Sequence, residues 1–224
     1  MQLVDRIEKR RFVGREYLLW LWFESELFEA TIHTREHGEL GLWLESRLTL
    51  SLLKESTKIT APMPGLGPEA KAALRRGQLP ESAGIRIAYK DAETRLTFHA
   101  ERLAITGLRL ATVLDQEEEE PNPLLMEPRK RKGKSTAEVK AAMEAEQDAE
   151  SFYERMRLTT EIEEILTTLY RDFLSLRLGN AWNQQIVPLL RRFAAGETID
   201  ADAYSKVRSK LLRAAAAKAT AASS

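Results

Sequence analysis

Apolar positions crowd most densely between Phe12 and Phe28, FVGREYLLWLWFESELF, where every side chain from Tyr17 to Phe23 is apolar. A surface helix shows an apolar stripe, whereas one that is apolar all round is buried among other elements. The run is far shorter than the ~20 apolar residues that a bilayer span needs. Gly14, Arg15 and Glu16 lead into it, and Glu24, Ser25 and Glu26 lead out. The pattern predicts a central core helix ending near Thr34–Gly38, with Leu3–Arg11 ahead of it as a short helix or linker. Trp20 and Trp22 read as core residues of that helix.

From Leu40 the period changes. Leu48, Leu50 and Leu52 alternate with Arg47, Thr49 and Ser51, the period of two that marks a half-buried strand. Leu42–Leu44 and Lys58–Ala61 read as neighbouring strands. Ala61–Pro68 reads as a loop, and Glu69–Arg76 as a short helix closed by Gly77. Ile85, Ile87 and Tyr89, then Leu96, Phe98 and Ala100, alternate with polar residues across a short turn at Asp91–Thr94. So short a turn requires antiparallel pairing. Ile105, Leu108 and Leu110 suggest a further strand.

Beyond Asp115 the pattern fails until Lys134. An acidic run, Glu117 to Glu120, is followed by Pro121, Pro123 and Pro128 and a basic run. Such a segment buries too little apolar area to offset its ordering entropy. Ser135–Glu150 then reads as a weakly anchored helix. Thr160 and Glu163 form a capping-box pattern that predicts a fresh helix start. Ile162, Ile165, Leu166, Leu169, Tyr170, Phe173 and Leu174 continue that helix at i, i+3, i+4 spacing to Gly179. Two more helices follow, Val187–Ala195 with Pro188 in its first turn, and Ala201–Arg213 capped by Asp200.

The expected fold is α+β: an antiparallel sheet packed on a buried N-terminal helix, followed by a helical C-terminal part. Its expected divisions are residues 1–114 for helix and sheet and 115–135 for a charged linker. Residues 136–213 form helices packing on the sheet domain, and 214–224 a disordered alanine-rich tail.

Composition narrows the function without naming it. Lys plus Arg and Asp plus Glu number 34 each in the 224 residues, so any attraction for nucleic acid must come from local segregation of charge. The absence of cysteine excludes disulfides, thiolate nucleophiles and cysteine-built metal sites. The charged start, MQLVDRIEKRR, lacks the apolar stretch of a signal peptide, and a cytoplasmic protein is expected.

Chemistry-bearing motifs are sparse. His33-Thr34-Arg35-Glu36-His37 has the form H-x-x-E-H, in which histidines at i and i+4 of a helix face one metal and the glutamate acts as base. Gly38 follows at once, where a helix should be ending, and no third ligand is marked. A metal hydrolase on His33 and His37 is therefore the minor alternative to a non-enzymatic protein without cofactor or small-molecule substrate. Gly65-Leu66-Gly67 lacks the lysine and hydroxyl of a phosphate-binding loop.

Basic clusters carry more. The candidate DNA contacts are Arg10, Arg11, Arg129, Lys130, Arg131, Lys132 and Lys134, with Lys206 and Lys210 on the last helix. Arg208 and Arg213 are presented beside them. Each such side chain neutralises phosphate independently of sequence.

The order of segments completes the reading. Residues 14 to 26 read Gly-Arg-Glu-Tyr-Leu-Leu-Trp-Leu-Trp-Phe-Glu-Ser-Glu, followed by a helix end at Ala73, Leu74 and Gly77, a hairpin with Leu96 and Phe98, and Arg155-Met156-Arg157-Leu158 leading into an apolar helix. In these features the chain resembles the RdgC-like recombination-associated proteins of bacteria over roughly Phe12 to Leu178. The resemblance implies sequence-independent binding of double-stranded DNA, a role in recombination or nucleoid maintenance, and a homodimer closing into a ring. Two departures are apparent: the family's N-terminal portion is lacking, which stands against ring closure, and the part after Gly179 has no counterpart. The competing expectation is a protein–protein adaptor that docks through Thr160–Leu178 or the last helices. No membrane association is expected.

Overall fold

The computed structural model describes residues 3–34, 36–90, 92–110, 136–179 and 181–222. Within these, side chains are described from Val13 to Ala217 except for residues 136–151. The expected linker at 115–135 lies outside the described residues.

The apolar run forms the middle of a 25-residue helix, α1 (Leu3–Leu27). Tyr17, Leu18, Trp20, Leu21, Trp22 and Phe23 are wholly buried. The helix stops seven residues before the expected Thr34, and the sequence holds no glycine to announce it. Instead Glu29 and Ala30 adopt left-handed backbone angles, φ 49° and 69°. The Ala30 amide closes the turn on the Ser25 carbonyl at 2.7 Å. The β-branched stretch that follows, Thr31–Thr34, is strand β1.

Six antiparallel strands make one sheet. Strand β2 (Gly38–Leu52) is its longest member and unites what the sequence suggested as two strands. It bends at a bulge between Glu45 and Leu48, where Ser46 has φ 64°. Between Glu45 and Leu48 the strand advances three residues while β4 advances one, from Gly84 to Ala83, so the alternation is kept and Leu40, Leu42, Leu44, Leu48 and Leu50 are all buried. Strands β1 and β3 (Glu55–Ala61) share one edge of β2, each covering one end of it. On the other side follow β4 (Leu79–Tyr89), β5 (Ala92–His99) and β6 (Ala104–Leu110). A 3-10 turn at Pro64–Leu66 and helix α2 (Pro68–Arg75) connect β3 to β4.

Leucines and isoleucines on one face of the sheet pack against α1. The backbone of α1 approaches the β5–β6 turn so closely that a Cβ on Gly14 would collide with the Ala100 carbonyl. The other side of α1 is covered by α3 (Thr136–Arg177), α4 (Val187–Ala195) and α5 (Ala201–Ala222), with a π-helical turn at Trp182–Ile186 before α4. Tyr17 meets Tyr170 and Phe173 of α3, and Trp22 and Phe23 meet Phe193 of α4. The result is three layers: sheet, single central helix, outer helices.

Two boundaries differ from the sequence reading. Helix α3 runs unbroken for 42 residues through the expected start at Thr160. The Thr159 and Thr160 hydroxyls donate to the Arg155 and Met156 carbonyls, at 2.8 and 3.1 Å, rather than to amides ahead of them. This is the mid-helix use of a threonine, not capping. Helix α5 continues past Arg213 to Ala222, through residues expected to be a tail. Asp200 caps it, accepting the Ala203 amide at 3.0 Å.

Thr160→Ala tests this directly. A lost N-cap would cost about 1 kcal/mol, whereas a mid-helix threonine replaced by the better helix former should gain a few tenths of a kcal/mol. Urea unfolding of the variant is expected to show the gain.

Candidate nucleic-acid interface

Helix α5 alternates in character around its axis. Tyr204, Arg208 and Leu212, spaced by four, are buried; Lys206, Lys210 and Arg213 are exposed on another side. What fixes this orientation is a polar cluster against α1. The Glu24 carboxylate, wholly buried, accepts from the Tyr204 hydroxyl at 2.6 Å and from Arg208 Nε at 2.7 Å. Tyr204 in turn accepts from Trp20 Nε1 at 3.1 Å. Arg208 also donates to the His33 carbonyl at 3.2 Å and lies 3.6 Å from an Asp172 carboxylate oxygen.

Burial pushes the Glu24 carboxyl above its ordinary range, with Arg208 and Tyr204 pulling it back. The Tyr204 hydroxyl is raised well above the usual tyrosine value, first by burial and then by the Glu24 charge. Arg208, expected as a surface cation beside Lys206, is thus a core residue. The spacing by four from Tyr204 to Leu212 was the signal that separates it from its neighbours.

With Arg208 turned inward, Lys206, Lys210 and Arg213 form a stripe at i, i+4 and i+7. None of the three has an ion pair among the described residues. Neighbours at this spacing lie about 6 Å apart, a separation that suits successive contacts along a phosphate backbone.

The open face of the sheet is the second place where cations gather. Strand register sets Trp43, Arg86, Arg95 and Arg109 side by side on β2, β4, β5 and β6. Like charges directly opposite destabilise a sheet, and two carboxylates offset them here. Glu45 sits 3.2 Å from Arg86 Nε and 3.1 Å from Arg95 Nε. Glu93 sits 3.3 and 3.1 Å from their outer nitrogens. The Arg86 guanidinium also lies 4.1 Å from the Trp43 ring centre. The central pair of arginines is therefore spoken for, and Arg109 alone of the row has no ion pair among the described residues. Trp43, Arg86, Arg95 and Arg109 are far apart in sequence and come together only through register.

The other expected site residues fall differently. Arg129, Lys130, Arg131, Lys132 and Lys134 lie outside the described residues. Arg10 and Arg11 belong to α1, and their side chains are likewise outside the described set. His33 is exposed on β1 opposite Glu39, while His37 lies in the hairpin turn. The helical i, i+4 geometry that made them a metal pair is absent, because the strand breaks it. His37 lies 3.4 Å from the Thr168 hydroxyl and edge-on to Tyr89. Among the described residues no three His, Asp or Glu side chains are placed to hold a metal ion. None of the described helices is long and apolar enough to cross a membrane.

These features define the chain as an α+β protein with an antiparallel sheet, a buried central helix and an outer helical layer. A scan against protein-family models finds no match, and searches of curated proteins and of solved structures likewise find none. The segment from Gly14 to Glu26, on which the RdgC-like resemblance rests, is mostly core.

Two measurements test the cluster that orients α5. Arg208→Met should cost roughly 3–5 kcal/mol in urea unfolding, because it strands a buried charge. Adding Glu24→Leu should restore most of that loss. A carboxyl whose folded pKa exceeds its unfolded value holds its proton more tightly when folded. Wild-type stability should therefore fall as pH rises from the ordinary glutamate value of about 4.3 through the raised one. Glu24→Gln should flatten that dependence.

Proposed function

We propose that the protein binds double-stranded DNA independently of sequence, through the stripe Lys206, Lys210 and Arg213, and acts in recombination or nucleoid maintenance without catalysis. The observation that carries the reading is the contrast within α5. Arg208 is buried as an anchor, and the other three cations are exposed with no ion pair among the described residues. Arg109, at the end of the sheet row, has no ion pair among the described residues and is a further cation for phosphate. The assignment to recombination rests on the RdgC-like segment in α1. Each contact of such a cation with phosphate releases counterions.

A second reading, a protein–protein adaptor, has one observation of its own. The expected docking face of Thr160–Leu178 is itself covered, with Ile162, Ile165, Leu169 and Phe173 buried. The exposed apolar side chains of α3 lie earlier instead: Phe152, Tyr153 and Met156 are 58%, 70% and 53% exposed.

Fluorescence anisotropy of a labelled duplex across a salt series decides between them. Wild type should bind any duplex sequence and weaken steeply with salt. Replacing Lys206, Lys210 and Arg213 with glutamine should lower the slope of log affinity against log salt by about 2 to 3. No binding at low salt, or an unchanged slope in the triple variant, would remove the α5 reading. The adaptor reading would then lead, with Phe152 and Met156 as the residues to replace.

A further inference from the structure

A cavity of about 290 Å³ opens between α1, β2 and the 3-10 turn, at the place where β1 and β3 leave the edge of β2 uncovered. Wholly buried Trp22 lies at its bottom, Trp43 and Leu44 form one wall, and half-exposed Met63 and Leu66 stand at its mouth. The 3-10 turn can approach this closely only because Gly65 has no Cβ to meet the Trp22 indole.

The wall contains an unusual pair of groups. In regular strand, alternate residues direct their N–H and C=O to the same edge. The Leu42 amide donates at that edge to the Ala30 carbonyl at 2.8 Å, and its carbonyl accepts from Ser25 Oγ at 2.7 Å. Beyond the gap, the Ser46 amide donates to the Pro62 carbonyl at 3.4 Å. Leu44 lies between them, is 5% exposed, and pairs with neither β1 nor β3. Its N–H and C=O therefore face the cavity as one donor beside one acceptor. Nearly all buried backbone groups find partners, so this pair is a strong pointer to a ligand.

Ala30 and Pro62 close the edge on either side of Leu44, so an added peptide strand has no room to continue. A flat group with an adjacent acceptor and donor on one rim fits instead. Trp43 and the Met63 thioether in the lining favour a π-system. The two carboxylates of the lining differ in availability. Glu26 is occupied by Lys71 at 2.7 Å and by Trp22 Nε1. Glu29, exposed at the turn, has no side-chain partner among the described residues. A free carboxylate accepts sugar hydroxyls and repels phosphate.

We infer that this cavity binds a nucleoside: the base lies between Trp43 on one side and Met63 and Leu66 on the other, its acceptor–donor rim pairs with the N–H and C=O of Leu44, and Glu29 takes the ribose. Adenosine presents such a rim through N1 and the 6-amino group. The site is independent of the α5 stripe, and its test does not involve DNA.

The experiment is equilibrium dialysis of the full chain against adenosine, purine riboside and adenosine 5′-monophosphate, with the Leu44 amide followed by NMR. Adenosine should bind saturably and shift the Leu44 amide. Purine riboside, which lacks the amino donor, and the monophosphate, which meets Glu29, should each bind at least tenfold more weakly. Glu29→Lys should reverse the order of adenosine and its monophosphate, and Leu66→Ala at the exposed mouth should weaken both without unfolding the chain. No saturable binding of adenosine, guanosine, cytidine or uridine at millimolar concentration would overturn the inference. So would adenosine binding that leaves the Leu44 amide unmoved, or that is indifferent to Leu66→Ala and Glu29→Lys.

Discussion

A single carboxylate buried in the most apolar helix of the chain governs how the outer layer sits. A buried charge is tolerable only with close, well-aligned partners, and Glu24 draws both of its hydrogen-bond donors from α5, Tyr204 and Arg208. An apolar surface alone would let α5 slide or rotate, since greasy contacts are not directional. The tyrosine and guanidinium fix its rotation, and with it the face that α5 shows to solvent. The same cluster reaches α3 through Asp172 and β1 through the His33 carbonyl, so it ties three elements to the central helix. Core polarity here selects one arrangement among several of similar apolar burial.

The two cationic surfaces differ in how their charge is managed. On the sheet, Arg86 and Arg95 stand opposite one another by register, and the strand pairing would be strained without Glu45 and Glu93 between them. Those carboxylates make the sheet face rigid and nearly neutral at its centre. On α5 the geometry already separates the cations by a helical turn, so no carboxylate is needed and their charge stays available. Zero net charge for the whole chain conceals this partition.

Periodicity alone made the layers legible. The apolar run at Tyr17–Phe23, the alternation in β4 and β5, and the helix at Val187–Ala195 all follow from spacing that only one kind of element satisfies. The misread boundaries share a cause: a local signal weighed without its surroundings. Thr160 and Glu163 spell a helix start, yet helical residues precede them and the hydroxyl turns back to Met156. Glu29 and Ala30 end α1 in a conformation that usually calls for glycine, held there by the Ser25 carbonyl and the turn into β1. The candidate site was half legible. Lys206 and Lys210 stand out as charges, but the inward turn of Arg208 depends on Glu24, which is 184 residues away along the chain. The β2 cavity left no trace in the sequence, because it is a gap between strands rather than a motif.

The central layer also has a consequence for how the chain is made. Helix α1 leaves a ribosome before the other elements described, and the sheet that covers one side of it follows soon after. Its other side waits for α4 and α5, which emerge after the whole sheet. Until then Trp20, Trp22 and Phe23 lack their cover, and Glu24 lacks both donors. Domains form as their parts are synthesised, and exposed apolar surface at that stage invites aggregation. The nascent chain must therefore carry an unfinished core from the emergence of α1 to that of α5, and the arrival of Tyr204 and Arg208 is the step that completes it.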